Sequence, residues 1–379
     1  MTPHARLLRL VLTVAVAASA ATVLAPASAE AAGFGAHLVA GGLNNPAAFT
    51  FAPSGRIFYG ERRTGEIHIY NPAQHTNHLF FTVPHVVSEG ERGLLGIALH
   101  PNFPNTPYVY AFATRIVSGH HESQILRITD SGGHGKNLTV IFRTRVVSSD
   151  SNPYHNGGRI RFGPGGMLYA IVGEAHDSAN AQNLTNPAGK ILRMTPAGKA
   201  APGNPFIGSS TRDRRTWAFG IRNSFGFAFD PQTGRLWETE NGPECNDELN
   251  RIVKGGNFGW GPNENCSGTS PGDTNNSGPK PRILPKRWYT PTIAPTGAVF
   301  CAGCRLGPHS PGRLFFGAFN TGQIRRVTLT SNRLGVASQS VVFTNSDGIL
   351  SMERAPGGGI YFSDSPPGGK GHIYKLVKT

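Results

Sequence analysis

From about residue 33 to the end of the chain, apolar and polar positions alternate with a period of two in short runs, and Gly/Pro turns separate the runs. That period predicts β-strands, and a helical period of roughly 3.6 is missing from every run. The runs also repeat as a unit. Pro53-Ser54-Gly55-Arg56-Ile57-Phe58-Tyr59 leads to Gly65-Glu66-Ile67-His68-Ile69-Tyr70, and Pro164-Gly165-Gly166-Met167-Leu168-Tyr169 leads to Gly189-Lys190-Ile191-Leu192-Arg193-Met194. Copies of this turn–strand–strand unit begin near Pro53, Asn105, Pro164, Asp230, Pro311 and Pro356. A further short apolar run precedes each: 47–51, 95–99, 158–162, 226–229, 297–300 and 349–352. One such unit cannot bury both of its faces, whereas sheets stacked radially about an axis can. The pattern predicts an all-β fold, a six-bladed β-propeller with the preceding runs as innermost strands. A pair of β-sandwiches would not produce six matched units.

Composition narrows the picture without changing it. A length of 379 residues often means two domains, but all-β folds run long as single units, and 49 Gly with 29 Pro suit many tight turns. The first residues read as a leader: Arg6 and Arg9, an apolar stretch from Leu10 to Leu24, then Ala27-Ser28-Ala29 or Glu30-Ala31-Ala32 as a cleavage site. The expected organisation is a signal peptide over 1–32 and a propeller over 33–379, secreted, with no membrane span after cleavage. The formal net charge of +14 is spread along the chain, and no nucleic-acid-binding motif accompanies it, so a solvated basic surface is expected. In an exported chain four cysteines imply disulfides; bridges 245–266 and 301–304 are expected. Cys301-Ala302-Gly303-Cys304 also has the spacing of a redox or zinc half-site, but lacks the further ligands zinc requires. The Pro/Gly/Asn-rich stretch from Gly261 to Arg287 reads as a long loop on the channel face, tethered by Cys266.

Loops that precede inner strands of a propeller meet at one end of its channel. Here they carry Glu91-Arg92-Gly93, Tyr154-His155-Asn156, Arg222-Asn223 and Thr292-Ile293-Ala294-Pro295, with Glu240-Asn241-Gly242-Pro243-Glu244 just past the fourth inner strand. His155 offers a general base and Arg222 a stabiliser of developing negative charge; carbonyls near Gly242-Pro243 offer oxygen ligands for calcium. The alternatives are a loop histidine hydrogen-bonded for structure and an Arg222 that pairs blades as an ion pair. Glu244, Asp247 and Glu248 could ligate calcium or cap a turn. Asp273-Thr274-Asn275-Asn276-Ser277-Gly278 resembles the start of a calcium loop, but its twelfth position is Leu284, so a plain turn-rich loop is expected.

Five motifs in order, Glu91-Arg92-Gly93-Leu94-Leu95-Gly96, His155-Asn156-Gly157-Gly158-Arg159, Gly220-Ile221-Arg222-Asn223, Gly242-Pro243 through Asp247-Glu248-Leu249-Asn250, and Gly255-Gly256-Asn257-Phe258-Gly259-Trp260, resemble the soluble pyrroloquinoline-quinone (PQQ)-dependent sugar dehydrogenases, the glucose/sorbosone dehydrogenase family. The resemblance runs over roughly residues 38 to 376 and implies a six-bladed propeller. It further implies His155 as the base that takes the anomeric hydroxyl proton while hydride passes to the quinone. Arg222 would contact quinone and substrate; Glu91, Asn223 and Thr292 would occupy cofactor-contacting positions, and Gly242 and Pro243 would hold Ca2+. A small sugar substrate and an electron acceptor of unknown identity would be the partners. The chain also departs from the family. Glu91 stands where a glutamine is common, Tyr154 where an acidic residue is, Asn320 where a lysine faces the cofactor, and Gly348-Ile349-Leu350 where a pair of arginines does. Two other functions fit a propeller of this kind: a non-catalytic glycan- or partner-binding module that has lost the quinone, and a calcium-dependent lactone hydrolase.

Overall fold

The computed structural model describes residues 33–261 and 279–379. They form six antiparallel sheets of four strands each, arranged as a β-propeller. The innermost strands are Pro46–Phe51, Leu94–Leu99, Gly157–Phe162, Ser224–Phe229, Pro295–Phe300 and Gly348–Arg354, each overlapping one of the apolar runs read from the sequence. We number the blades one to six in that order. Among the described residues the only α-helix is the single turn Ala179–Gln182, and no helix is long and apolar enough to cross a membrane.

Blade six contains a strand that local pattern could not place there. Its outer strand is the first among the described residues, Phe34–Asn44, which pairs with Lys370–Lys378 from Phe34↔Lys378 to Asn44↔Lys370. The first and last described strands therefore close the ring, and closure removes exposed inner edges.

Burial explains why the runs must alternate. Six clusters of buried apolar side chains fill the six gaps between neighbouring blades; Phe58 and Ile67 of blade one, for example, meet Leu94, Ile97 and Leu126 of blade two. The ring closes through Phe49, Ile57 and Tyr59 against Ala40, Leu43 and Ile373. At the hub the inner strands approach so closely that side chains do not fit. A Cβ on Gly297 would lie 2.2 Å from the backbone nitrogen of Met352 in the next blade.

Arg159, fully buried, spans the channel from blade three. Its guanidinium donates to the carbonyls of Phe225 (2.9 Å), Ala47 (3.3 Å) and Leu350 (3.4 Å) and to Ser351 Oγ (3.0 Å). Burial lowers its pKa to about 10, so it stays charged at neutral pH. Two residues on, Arg161 makes a bidentate pair with Glu353 of blade six at 2.8 and 2.7 Å.

Cys301 and Cys304 form the expected bridge, in the turn after the fifth inner strand and thus at the end of the ring away from the loops that precede inner strands. Cys245 is also disulfide-bonded. Cys266 and the Asp273–Gly278 stretch lie outside the described residues.

Candidate functional site

The loops before the inner strands do gather at one mouth, and a carboxylate holds them together. Glu91 Oε2 accepts the backbone N–H of His155 (2.7 Å) and Asn223 Nδ2 (3.0 Å); Asn223 Oδ1 in turn accepts Gly157 N–H (3.2 Å). Blades two, three and four are thereby joined at His155. On the far side Asp247 accepts N–H groups from Gly242 (2.8 Å), Ile293 (2.6 Å) and Ala294 (2.8 Å). Of the two roles open to Asp247, calcium ligand or turn cap, the geometry displays the cap.

His155 sits in the left-handed region at φ 60°, which turns its ring out of the strand that follows. Its Nδ1 makes a very short contact with Glu174 Oε1. Glu174 lies in the loop after blade three's second strand, Leu168–Val172, and that loop opens at the same mouth because the second strand runs antiparallel to the first. The two loops touch: a Cβ on Gly173 would fall 2.2 Å from the His155 carbonyl, and Ala175 N–H donates to that same carbonyl (3.1 Å). His176 stacks on His155, ring centres 4.7 Å apart.

The electrostatics set where the protons lie. Burial and then the nearby Arg222 cation push His155 down to about 3, with Glu91 opposing. Burial raises Glu174 to about 7, against the pull of Arg222. His155 is therefore a neutral imidazole at neutral pH, and where it faces the ionised carboxylate its proton sits on Nδ1 toward Glu174, leaving the lone pair on Nε2.

Arg222 is not the blade-to-blade ion pair that the sequence left open. Its Nη1 donates to the Asn241 carbonyl (3.0 Å), its Cζ lies 5.2 Å from the Trp260 ring centre, and its buried Nε has no acceptor among the described residues. Together with His155, Glu174, His176, Pro243 and Trp260 it lines a cavity of about 380 Å³. A second cavity of about 340 Å³ lies over the hub, lined by Arg62, Glu91, Arg159, Asn241, Asn320 and Leu350 among others. Thr292 is half-buried and lines neither. Sequence reasoning missed Glu174, His176 and the placement of Trp260; the acidic–imidazole pair in Gly173-Glu174-Ala175-His176-Asp177 was the available signal.

Whether these residues suit calcium and a tricarboxylate quinone can be judged from the lining. Pro243 lines the cavity and its neighbour Gly242 is pinned by Asp247, so backbone carbonyls are fixed beside a flat indole and a guanidinium. That much fits an oxygen-loving cation and a planar ring. The carboxylate side offers weaker anchorage. Asn320 and Leu350 are neutral, Glu91 is acidic, and the two arginines over the hub are spent on carbonyls: Arg159 as above, and Arg62 on Ser88, Gly90 and Arg92 (3.2, 2.7 and 2.7 Å). Four other cations do not replace the missing ones: Arg325, Arg326 and Arg354 lie against Tyr289, Phe34 and the Ala302 carbonyl, and Lys370 lines neither cavity.

Known proteins place this geometry. Over 269 residues the chain is 32% identical to quinoprotein glucose dehydrogenase B of Acinetobacter calcoaceticus, covering 62% of this chain and 54% of that protein. It is 30% identical over 221 residues to an aldose sugar dehydrogenase of Escherichia coli K12, covering 58% and 59%. The matched region thus spans little more than half the length of these curated relatives. The PQQ-bound structure of an aldose sugar dehydrogenase from Streptomyces coelicolor superposes with a TM-score of 0.75 at 29% identity, over 91% of this chain and 98% of that one. The family model for glucose/sorbosone dehydrogenases matches residues 43–375, and on that match the chain belongs to the glucose/sorbosone dehydrogenase family.

Proposed function

We propose that this propeller is an exported oxidoreductase that dehydrogenates a sugar at its anomeric carbon. The observation that carries the reading is the His155–Glu174 pair at the wall of an open cavity: Nδ1 is engaged by a carboxylate, and Nε2 is the base that takes the hydroxyl proton. As Nε2 gains that proton the imidazolium is stabilised by Glu174, while His176 packs against the ring and holds its plane. Arg222, charged and with an unpaired Nε, steadies negative charge on the substrate oxygen. A bound quinone would supply the two-electron acceptor and Ca2+ a Lewis acid, with Gly242 and Pro243 offering carbonyls to the ion. The basic, apolar, then small-residue start of the chain supports export.

The lining weighs against the other two functions. A lactone hydrolase built on an axial metal calls for converging carboxylates, and Glu91 is the one carboxylate lining the hub cavity among the described residues. A pure binding module has no need of a buried imidazole–carboxylate pair. The test is to add Ca2+ and PQQ to purified protein, measure quinone binding by absorbance, and follow dye reduction with a panel of aldoses. Saturable reduction by at least one sugar, lost in His155→Ala with quinone binding kept, is the expected result. Binding without turnover on any aldose, or turnover surviving His155→Ala, would overturn the assignment.

A further inference from the structure

One hairpin of blade one gathers ligand chemistry that the proposed reaction does not use. Its strands, Ile57–Glu61 and Glu66–Asn71, pair Tyr59↔His68 and Gly60↔Ile67. Side-chain alternation then puts Tyr59, Glu61, Glu66 and His68 on one face, with Glu61 and Glu66 closing the turn. A carboxylate oxygen of each glutamate and a ring nitrogen of His68 lie within 4.8 Å of one another.

Two carboxylates facing each other across a hairpin repel, and the neighbouring cations do not relieve them. Arg62 is turned away onto the carbonyls of Ser88, Gly90 and Arg92, and Arg63 lies against Gly369. Glu61 is held by Asn44 N–H (3.0 Å) and Thr64 Oγ1 (3.2 Å), while Glu66 Oε2 meets His68 Nε2 at 3.1 Å. Among the described residues no lysine or arginine forms an ion pair with either glutamate. The imidazole is oriented in advance: it stacks on Tyr59, 5.2 Å between centres and 12° between planes, and Tyr59 Oη is held by Asn77 Nδ2 at 2.7 Å. An oriented imidazole with two carboxylates, one still partly open to water, is a donor set for a borderline divalent ion such as zinc.

We infer that Glu61, Glu66 and His68 form a divalent transition-metal site on blade one, with water completing the coordination. Metal–ligand distances of about 2.0–2.2 Å require donors roughly 3–3.6 Å apart, a small side-chain adjustment from the spacing seen. The site braces the turn from which Arg62 clasps the carbonyls on either side of Glu91. A bound ion therefore stiffens one support of the mouth without touching it.

The experiment uses the full chain, stripped with EDTA and dialysed, titrated with ZnCl2 by calorimetry and by thermal unfolding. One equivalent should bind and raise Tm. Glu66→Gln, a part-exposed and nearly isosteric change, and His68→Ala should each weaken binding at least about tenfold. His176→Ala, at the mouth, and the double change His120→Ala/His121→Ala, at the blade-two turn where Val117 pairs with His120, should leave binding in place. Zinc bound equally well by Glu66→Gln and wild type, loss of binding in either control, or no binding by wild type at millimolar zinc would each overturn the assignment.

Discussion

Blade four carries a charge arrangement that pH alone can probe. Glu238, Glu240 and Glu248 are all buried, and each places an oxygen on the same donor, Asn250 Nδ2, at 3.3, 3.2 and 3.0 Å. Asn250 is a neutral donor that does not cancel the charges it bonds, and Glu240 also accepts the backbone N–H of Arg222 (2.5 Å). Burial, followed by Glu248, pushes Glu238 up to about 8 against the hydrogen bonds from Ser224 and Asn250, and burial with the two neighbouring carboxylates raises Glu240 well above its ordinary value. A carboxyl raised in the folded state contributes stability that is full below its unfolded pKa of 4.5 and is lost as pH climbs through about 8. For Glu238 the difference corresponds to at most about 5 kcal/mol. At roughly 2 °C per kcal/mol for a chain of this size, Tm should fall by on the order of 5–10 °C between pH 5 and pH 9. Glu238→Gln keeps the shape without the charge and should flatten much of that slope. Asp247, pushed up by burial to about 6, and Glu174 and Glu353, also raised by burial, add decline of the same sign, while His155 and Lys190, lowered by burial to about 3 and about 7, oppose part of it. Thermal unfolding in EDTA at five pH values measures both proteins. Identical slopes for wild type and Glu238→Gln, or a wild-type Tm that rises with pH, would refute the reasoning.

Three further outcomes are expected. Glu174→Gln should lower kcat in the dye-linked assay by about 10²–10⁴, because an amide can donate to Nδ1 and leave the proton on Nε2, whereas Glu174→Asp should recover part of the loss; unchanged kcat in the glutamine variant would separate Glu174 from the base. Glu91→Gln retains an acceptor for His155 N–H and Asn223 but removes a negative charge from the hub cavity, so PQQ affinity should rise about tenfold, equivalent to one charge-assisted contact of roughly 1.4 kcal/mol; equal affinities by absorbance titration would show that the charge is not felt. Gly226→Ala puts a Cβ 1.9 Å from the Thr296 carbonyl of the next blade and should cost about 1–3 kcal/mol or more in urea unfolding, and a wild-type midpoint would mean the hub can relax.

The inner strands were legible because their constraint is local. Each must be small and apolar where blades meet, so Gly226 or Gly297 within an apolar run marks the hub directly. Outer strands carry no such mark. Val336–Thr344 is mostly exposed or half-exposed, and Phe34–Asn44 is recognised as part of blade six only through partners more than 300 residues away, which no window on the sequence can see. At the site, His155, Arg222 and Gly242-Pro243 were readable from position before or after inner strands. Glu174 was not, because its significance comes from a contact between two loops of one blade. Glu91 and Asn223 were readable as neighbours of the site, but their geometry shows them occupied with each other and with the backbone that aims His155. Thr292 matched by position and yet lies outside both cavities.

Arg159 has a consequence for traffic. A guanidinium that reaches from blade three into blades four, six and one turns the hub into a floor rather than a passage. Whatever enters over it must leave the way it came. Under the proposed reaction a sugar and an electron acceptor would share one doorway and visit in turn, so the oxidised product would depart before a bulky acceptor docks. For turnover, that predicts initial-rate lines that stay parallel as either partner is varied, with each inhibiting at high concentration by standing in the other's way.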